Sequence, residues 1–327
     1  MKRTGFSILE LMIAMFIGAL ILGGVVATYV SMKTTTRDTM AIGEMQETGR
    51  LALSILQRDI EQIGFWGTFY EGEFTAGNVV SPPNPAGDCT SGLNNGSFPD
   101  NSPSNFRSIF ADVSGGSNDI SCVSNSVDET DVLQLKFLEG NRINVGTPGT
   151  IDSSRFYFIA EQEQAEFVSG ASPITLPTVN ATVWPYSHHV YFLSTERIKI
   201  NNVERDIPIL KRVRLSTSGM QQETVMEGVE DFRLVFGLDT NEDGRVNTYR
   251  STEDMTPADW ERDEGILTVQ IYLLVRALEP DPGLQLNSRT YTLGVDPDRR
   301  THIFTDNFRR TVFSTTVRVN GAISWSI

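Results

Sequence analysis

The sequence predicts an α+β fold: a long N-terminal helix, its first half suited to a membrane, packed on an antiparallel β-sheet domain. Three observations predict it. Between Phe6 and Val30 the only ionisable carboxylate or amine side chain is Glu10. Beyond that apolar run, Met45, Gly49, Ala52, Leu56, Ile60 and Ile63 recur at three- and four-residue steps, the spacing of one helix face. From Asp131 onward, short apolar or alternating runs are separated by turn residues, the pattern of antiparallel strands.

The chain opens MKRTGFSILELMIAMFIGALILGG. A helix of about 20 apolar residues spans the hydrocarbon core of a bilayer, and Lys2 and Arg3 would stay on its cytoplasmic side. A secretory signal peptide places its small-residue cleavage site after the apolar core. Here the small pair, Thr4-Gly5, precedes the core, so a cut there leaves the helix on the mature chain. An acid at the centre of a membrane helix costs about 2.5–3.5 kcal/mol and less near an end, so Glu10 needs a reason. A cut between Gly5 and Phe6 would free an α-amine on Phe6. Glu10 then lies close enough to a helix end to meet such an amine on a neighbouring chain, and an ion pair in a water-poor bundle would fix axial register. Gly18, Gly23 and Gly24 are weak helix formers that either permit close helix packing or are tolerated in lipid.

Lys2-Arg3-Thr4-Gly5-Phe6-Ser7-Ile8-Leu9-Glu10 resembles the prepilin processing motif of type IV pilins and type II secretion pseudopilins. The resemblance implies that a prepilin peptidase cuts after Gly5 and methylates the exposed Phe6, and that Glu10 serves assembly. The order of the two aliphatic residues before the glutamate is swapped relative to the family's usual one. The segments are then a leader (1–5), a membrane and assembly half of the helix (6–31), an amphipathic half (32–64) and a β-rich domain (65–327).

Gly64 and Gly67 would end the helix, with Phe65, Trp66 and Phe69 as core anchors. Residues 71–130 are rich in Gly, Pro, Ser and Asn and are expected to form a loop-rich, exposed excursion, a candidate partner surface. Both cysteines, Cys89 and Cys122, lie in it, without CxxC spacing. In an exported protein they would form a disulfide; two buried free thiols are the alternative. Strands are expected at 131–137, 155–159, 190–193, 232–236, 267–275 and 312–319. A hairpin should pair 197–200 with 208–215 around an Asn201-Asn202 turn. Thr256-Pro257-Ala258-Asp259 reads as the capped start of a short helix carrying Trp260.

Residues 226–232, 236–239, 273–276, 298–300 and 315–318 resemble corresponding segments of PilW-type minor pilins, longer relatives of the J-type pseudopilin. That resemblance implies a minor pilin that primes pilus assembly and enters the fibre at or near its tip, supporting adhesion and twitching motility. It implies other minor pilins, the major pilin, prepilin peptidase and the inner-membrane assembly platform as partners. It also implies a single-pass anchor in the bacterial inner membrane with a periplasmic β-domain, followed by residence in the fibre at the cell surface. A J-type secretion pseudopilin, and a pilus-presented adhesin or DNA-binding module, are the competing readings.

The formal net charge of -14 repels nucleic acid. Arg299-Arg300 and Arg309-Arg310, with Phe304 and Phe308 between them, form the one nucleic-acid candidate; pairing with the surplus of acids is the plainer role. No P-loop, GxGxxG, GxSxG or HExxH motif occurs, so neither catalysis nor a required cofactor is expected. His188 and His189 are neighbours and on a strand face opposite ways, so they are expected to be surface side chains that share no metal. The stretch from Asp239 to Asn247 matches D-x-[DN]-x-[DN]-G. Asp239, Asn241 and Asp243 would offer side-chain oxygens to a structural calcium ion, Arg245 its carbonyl, and Asn247 a direct or water-bridged ligand. The twelfth position is Arg250 where a bidentate acid belongs, and Glu253 or Asp254 would have to substitute. A polar hairpin turn is the alternative.

Overall fold

The computed structural model describes residues 7–70, 74–100, 105–115, 120–261, 265–284 and 286–319. Helix α1 (Ile8–Glu61) runs unbroken for 54 residues, about 80 Å at 1.5 Å per residue. Ser7 caps it, Gln62 closes it, and Gly64, at φ 83°, turns the chain away, a left-handed conformation that favours glycine. Residues 8–36 are exposed throughout. Burial begins with Met45 and continues through Gly49, Ala52, Leu56, Asp59 and Ile60, so the apolar stripe read from the sequence is the packed face.

The strands follow as β1 (Val79–Val80), β2 (Ile109–Val113), β3 (Asp131–Leu138), β4 (Phe156–Ala160), β5 (Ala165–Ser169), β6 (Thr182–Ile200), β7 (Val203–Ser216), β8 (Gly219–Glu227), β9 (Val229–Leu238), β10 (Thr248–Ser251), β11 (Ile266–Arg276), β12 (Arg289–Leu293), β13 (Arg300–Phe304) and β14 (Arg310–Arg318). The short helix α2 (Pro257–Trp260) starts with Thr256 and Asp259 in a capping box and buries Trp260. Strands β1 to β8 form one sheet, β10-β9-β11-β14 a second, and β12-β13 a third. All pairings are antiparallel except β1 with β5.

Strand β6 organises the first sheet. Its start pairs with β4 (Phe156 opposite Tyr186), its middle with β3 (Leu133 opposite Tyr191) and its second half with β7. The expected strand at 190–193 is thus the centre of a much longer one. The β6–β7 hairpin turns at Asn201 and Asn202, at φ 49° and 66°, as a two-residue hairpin of this twist requires.

Helix α1 lies against β11 and β14 of the second sheet. At the crossing, a methyl group built on Gly49 collides with the Phe313 ring, so only glycine lets helix and sheet approach this closely. The main core joins the α1 stripe to β3, β6, β9 and β11. A second cluster is rich in aromatic rings: Phe69, Phe74, Phe98, Phe156, Phe158, Phe167 and Tyr186, with Trp66 packed on it and Val79, Leu138, Ala160, Ala165 and Leu215 between them.

Two expectations need correction here. Phe65 is no core anchor: it is 45% exposed and meets Trp184 edge-on. Among its described residues, the excursion expected at 71–130 is loop-rich but not exposed throughout. Asn94, Asn95, Ser97, Phe98, Phe110 and Ile120 are buried and β2 joins the first sheet, because Phe74 and Phe98 complete the aromatic cluster.

Candidate assembly site

Gly5 and Phe6 lie outside the described residues. Glu10 accepts the Ser7 backbone N–H at 3.0 Å while the Ser7 hydroxyl accepts from Leu9. This capping box places a negative charge at the positive end of the helix dipole. The spacing Ser7-x-x-Glu10 was visible in the sequence as a capping signature, and it gives the acid a role within its own chain.

The stem is fixed to the domain in two places. Arg37 pairs with Asp281 at 2.9 Å, Arg309 with Asp281 at 2.5 Å and with Asp38 at 3.1 Å. Two adjacent helix residues of opposite charge thus read two residues of the C-terminal region. Lower down the helix, buried Asp59 accepts from His189 Nδ1 at 2.6 Å and from the Tyr191 hydroxyl at 2.5 Å, with Arg212 at 3.8 Å. Burial pushes the Asp59 carboxyl up, but the hydrogen bond and charge of His189, with Tyr191 and Arg212, hold it below the ordinary aspartate value.

His188 and His189 do face opposite ways, but both are buried rather than at the surface. His189 serves Asp59. His188 receives the Gln134 amide N–H at Nε2 (2.8 Å), so its proton sits on Nδ1 and points to the Ser97 hydroxyl (2.9 Å), which donates to Asp88 (2.6 Å). The donors all run one way, so His188 is not poised to take a proton from Ser97.

Cys89 and Cys122 are joined in a disulfide. The four arginines read as a nucleic-acid candidate all meet acids: Arg299 with Asp296, Arg300 with Asp131, Asp231 and Glu253, Arg309 with Asp38 and Asp281, Arg310 with Glu230 and Asp306.

The stretch 239–247 joins β9 to β10 and closes on itself. Asp239 accepts backbone N–H groups from Asn241, Glu242, Asp243 and Gly244, Asp243 accepts from Arg245, and Asn247 accepts from Thr240 and donates to Asn241. The twelfth-position residue and the two acids expected to substitute for it are engaged elsewhere. Arg250 pairs with Asp259, Glu253 with Arg233 and Arg300, and Asp254 accepts from Ser251. Among the described residues no group of three or more His, Cys, Asp or Glu side chains is arranged to hold a metal. The carboxylates of Asp239 and Asp243 are thus engaged with the loop's own backbone N–H groups, as in a self-satisfied polar turn.

By length and composition α1 can cross a membrane. A family model described as type IV pilus-assembly protein W matches residues 190–321. A second, described as the prokaryotic N-terminal methylation motif, matches residues 1–26. No curated protein and no solved structure matches the chain. Lying on the N-terminal segment and on the region that holds the whole second sheet, the two matches indicate a type IV minor pilin.

Proposed function

We propose that the protein primes pilus assembly together with other minor pilins and enters the fibre at or near its tip, supporting adhesion and twitching motility. The observation that carries this reading is the asymmetry of α1: residues 8–36 are wholly exposed and apolar for most of their length, while one face of 45–60 (Met45, Gly49, Ala52, Leu56, Asp59 and Ile60) is buried on the domain. An exposed apolar stem finds its environment in a bilayer or among the stems of other subunits. The expected sequence of events is insertion in the inner membrane with the β-domain periplasmic, cleavage after Gly5, methylation of Phe6, and transfer to the fibre through the assembly platform. The DNA-binding alternative loses support because its four arginines are paired.

Glu10 tests the proposal. Glu10→Gln keeps an oxygen for the Ser7 cap and removes the charge; Glu10→Ala removes both. If Glu10 meets the Phe6 amine of a neighbouring subunit, both variants are processed normally and both fall several-fold in sheared fibres. Normal incorporation of Glu10→Gln with loss of Glu10→Ala would leave Glu10 a cap alone. Normal incorporation of both would remove it from assembly.

A further inference from the structure

Lys136, on β3, is fully buried and belongs to no ion pair described above. Its Nζ donates to Asn94 Oδ1 at 3.0 Å and to the Asn95 carbonyl at 2.7 Å, and it sits 4.4 Å from the centre of the Phe106 ring. Both hydrogen-bond acceptors are neutral and both come from one segment, residues 88–98. That segment covers a row of polar groups on β3 and β6. Asn94 donates to Gln134, Gln134 donates to the Cys89 carbonyl at 2.8 Å, Ser97 meets His188, and Tyr186 donates to the Ser97 carbonyl. The segment is crosslinked at its base by Cys89–Cys122. Ser121 reinforces the crosslink through Thr90 and the Asp88 carbonyl. Cys89 is buried, whereas Cys122 is half-buried and lines an open cavity of about 490 Å³ with Gly87, Asp88, Ser121, Met220 and Gln222.

We propose that the Cys89–Cys122 disulfide is a redox latch that keeps residues 88–98 closed over the Lys136 amine, and that its reduction opens this lid. The cavity lets a dithiol reductant reach Cys122. Its thiolate attacks Cys122 Sγ and the Cys89 thiolate leaves. The second thiol of the reductant resolves the mixed disulfide, so two electrons and two protons end on the cysteines and the reductant departs as a disulfide. Crosslinks that close loops of this size favour the closed state by roughly two to three orders of magnitude. Without the crosslink, closing must desolvate a lysine. Burial pushes the Lys136 amine well below its ordinary range; Asp88 and Asp100 oppose this through space, while Arg107 adds to it, and burial, with Lys136 and His189 adding to it, pushes the neighbouring His188 well below the ordinary histidine value. The closed state therefore binds fewer protons than the open one and gains as pH rises towards the ordinary lysine value, so at neutral pH an uncrosslinked lid opposes its own closure.

Hydrogen exchange followed by mass spectrometry on the full chain in detergent tests this. Treating the folded protein with a dithiol reductant should speed exchange of the 88–98 amides about 100-fold, with the β9 and β11 amides unchanged. Cys89→Ser/Cys122→Ser should behave like the reduced protein. Adding Lys136→Met, which removes the charge at similar volume, should restore most of the protection at neutral pH. Unchanged protection of 88–98 after verified reduction would overturn the latch. Exchange that stays fast in the Lys136→Met background would overturn the part assigned to the lysine.

Discussion

Asp59 stands on the buried stripe of α1 where the periodicity alone asks for an apolar side chain. Its partners, His189, Tyr191 and Arg212, are more than a hundred residues away, so nothing local in the sequence marks it. Replacing it with alanine leaves a buried imidazole N–H and a buried hydroxyl without their acceptor, at roughly 2–4 kcal/mol. The pH dependence has a definite sign. The folded carboxyl is held below its ordinary value, so its stabilisation is fully present above the unfolded pKa of about 3.9. It is lost as pH falls through the lower folded value. Thermal unfolding of wild type and Asp59→Asn should therefore differ above pH 5 and converge as the pH approaches 2. A constant gap across that range would remove the linkage.

At the scale of elements, α1 was legible almost residue by residue because a 3.6-residue period is a local property. Strands with a buried or alternating face, such as β3, β9 and β11, were legible for the same reason. Strand β8 (GMQQETVME) and the pair β12–β13 were not, because their side chains are largely polar and they are strands only by virtue of their neighbours. The helix-to-sheet crossing yields a prediction. Gly49→Ala forces the Phe313 ring to move and should cost about 1–3 kcal/mol. Combining it with Phe313→Ala should recover part of that loss, and a double-mutant cycle measures the coupling; strictly additive effects would place the strain elsewhere. The 239–247 turn belongs at this scale too. A D-x-N-x-D-G string is shared by calcium loops and by turns that satisfy their own backbone, and only the positions of Arg250, Glu253 and Asp254 separate the two. Calorimetric titration of calcium should give identical blank traces for wild type and Asp243→Ala. A saturable wild-type heat that the variant loses would restore the metal site.

Across the whole molecule, one guanidinium joins the sheets. Arg300 of the third sheet reaches Asp131 of the first at 2.8 Å and Asp231 of the second at 3.0 Å, and Glu253 closes the group. Asp131 and Asp231 are buried, so removing the arginine strands two carboxylates out of water. Arg300→Met should destabilise the domain by roughly 3–5 kcal/mol, lowering the melting temperature as one cooperative transition. Loss of β12–β13 alone, with the remaining sheets melting as before, would show that the arginine holds only its own hairpin.

The sequence by itself determined the stem, its processing motif, the packed stripe and the α+β class, because each is written in the order and spacing of neighbouring residues. Only the tertiary structure decided that the loop-rich excursion is built into the core, that the two histidines are buried partners and that the paired arginines are structural. Those outcomes depend on which distant side chains share a low-dielectric space, where an unpaired polar group is costly, and sequence spacing carries no record of that.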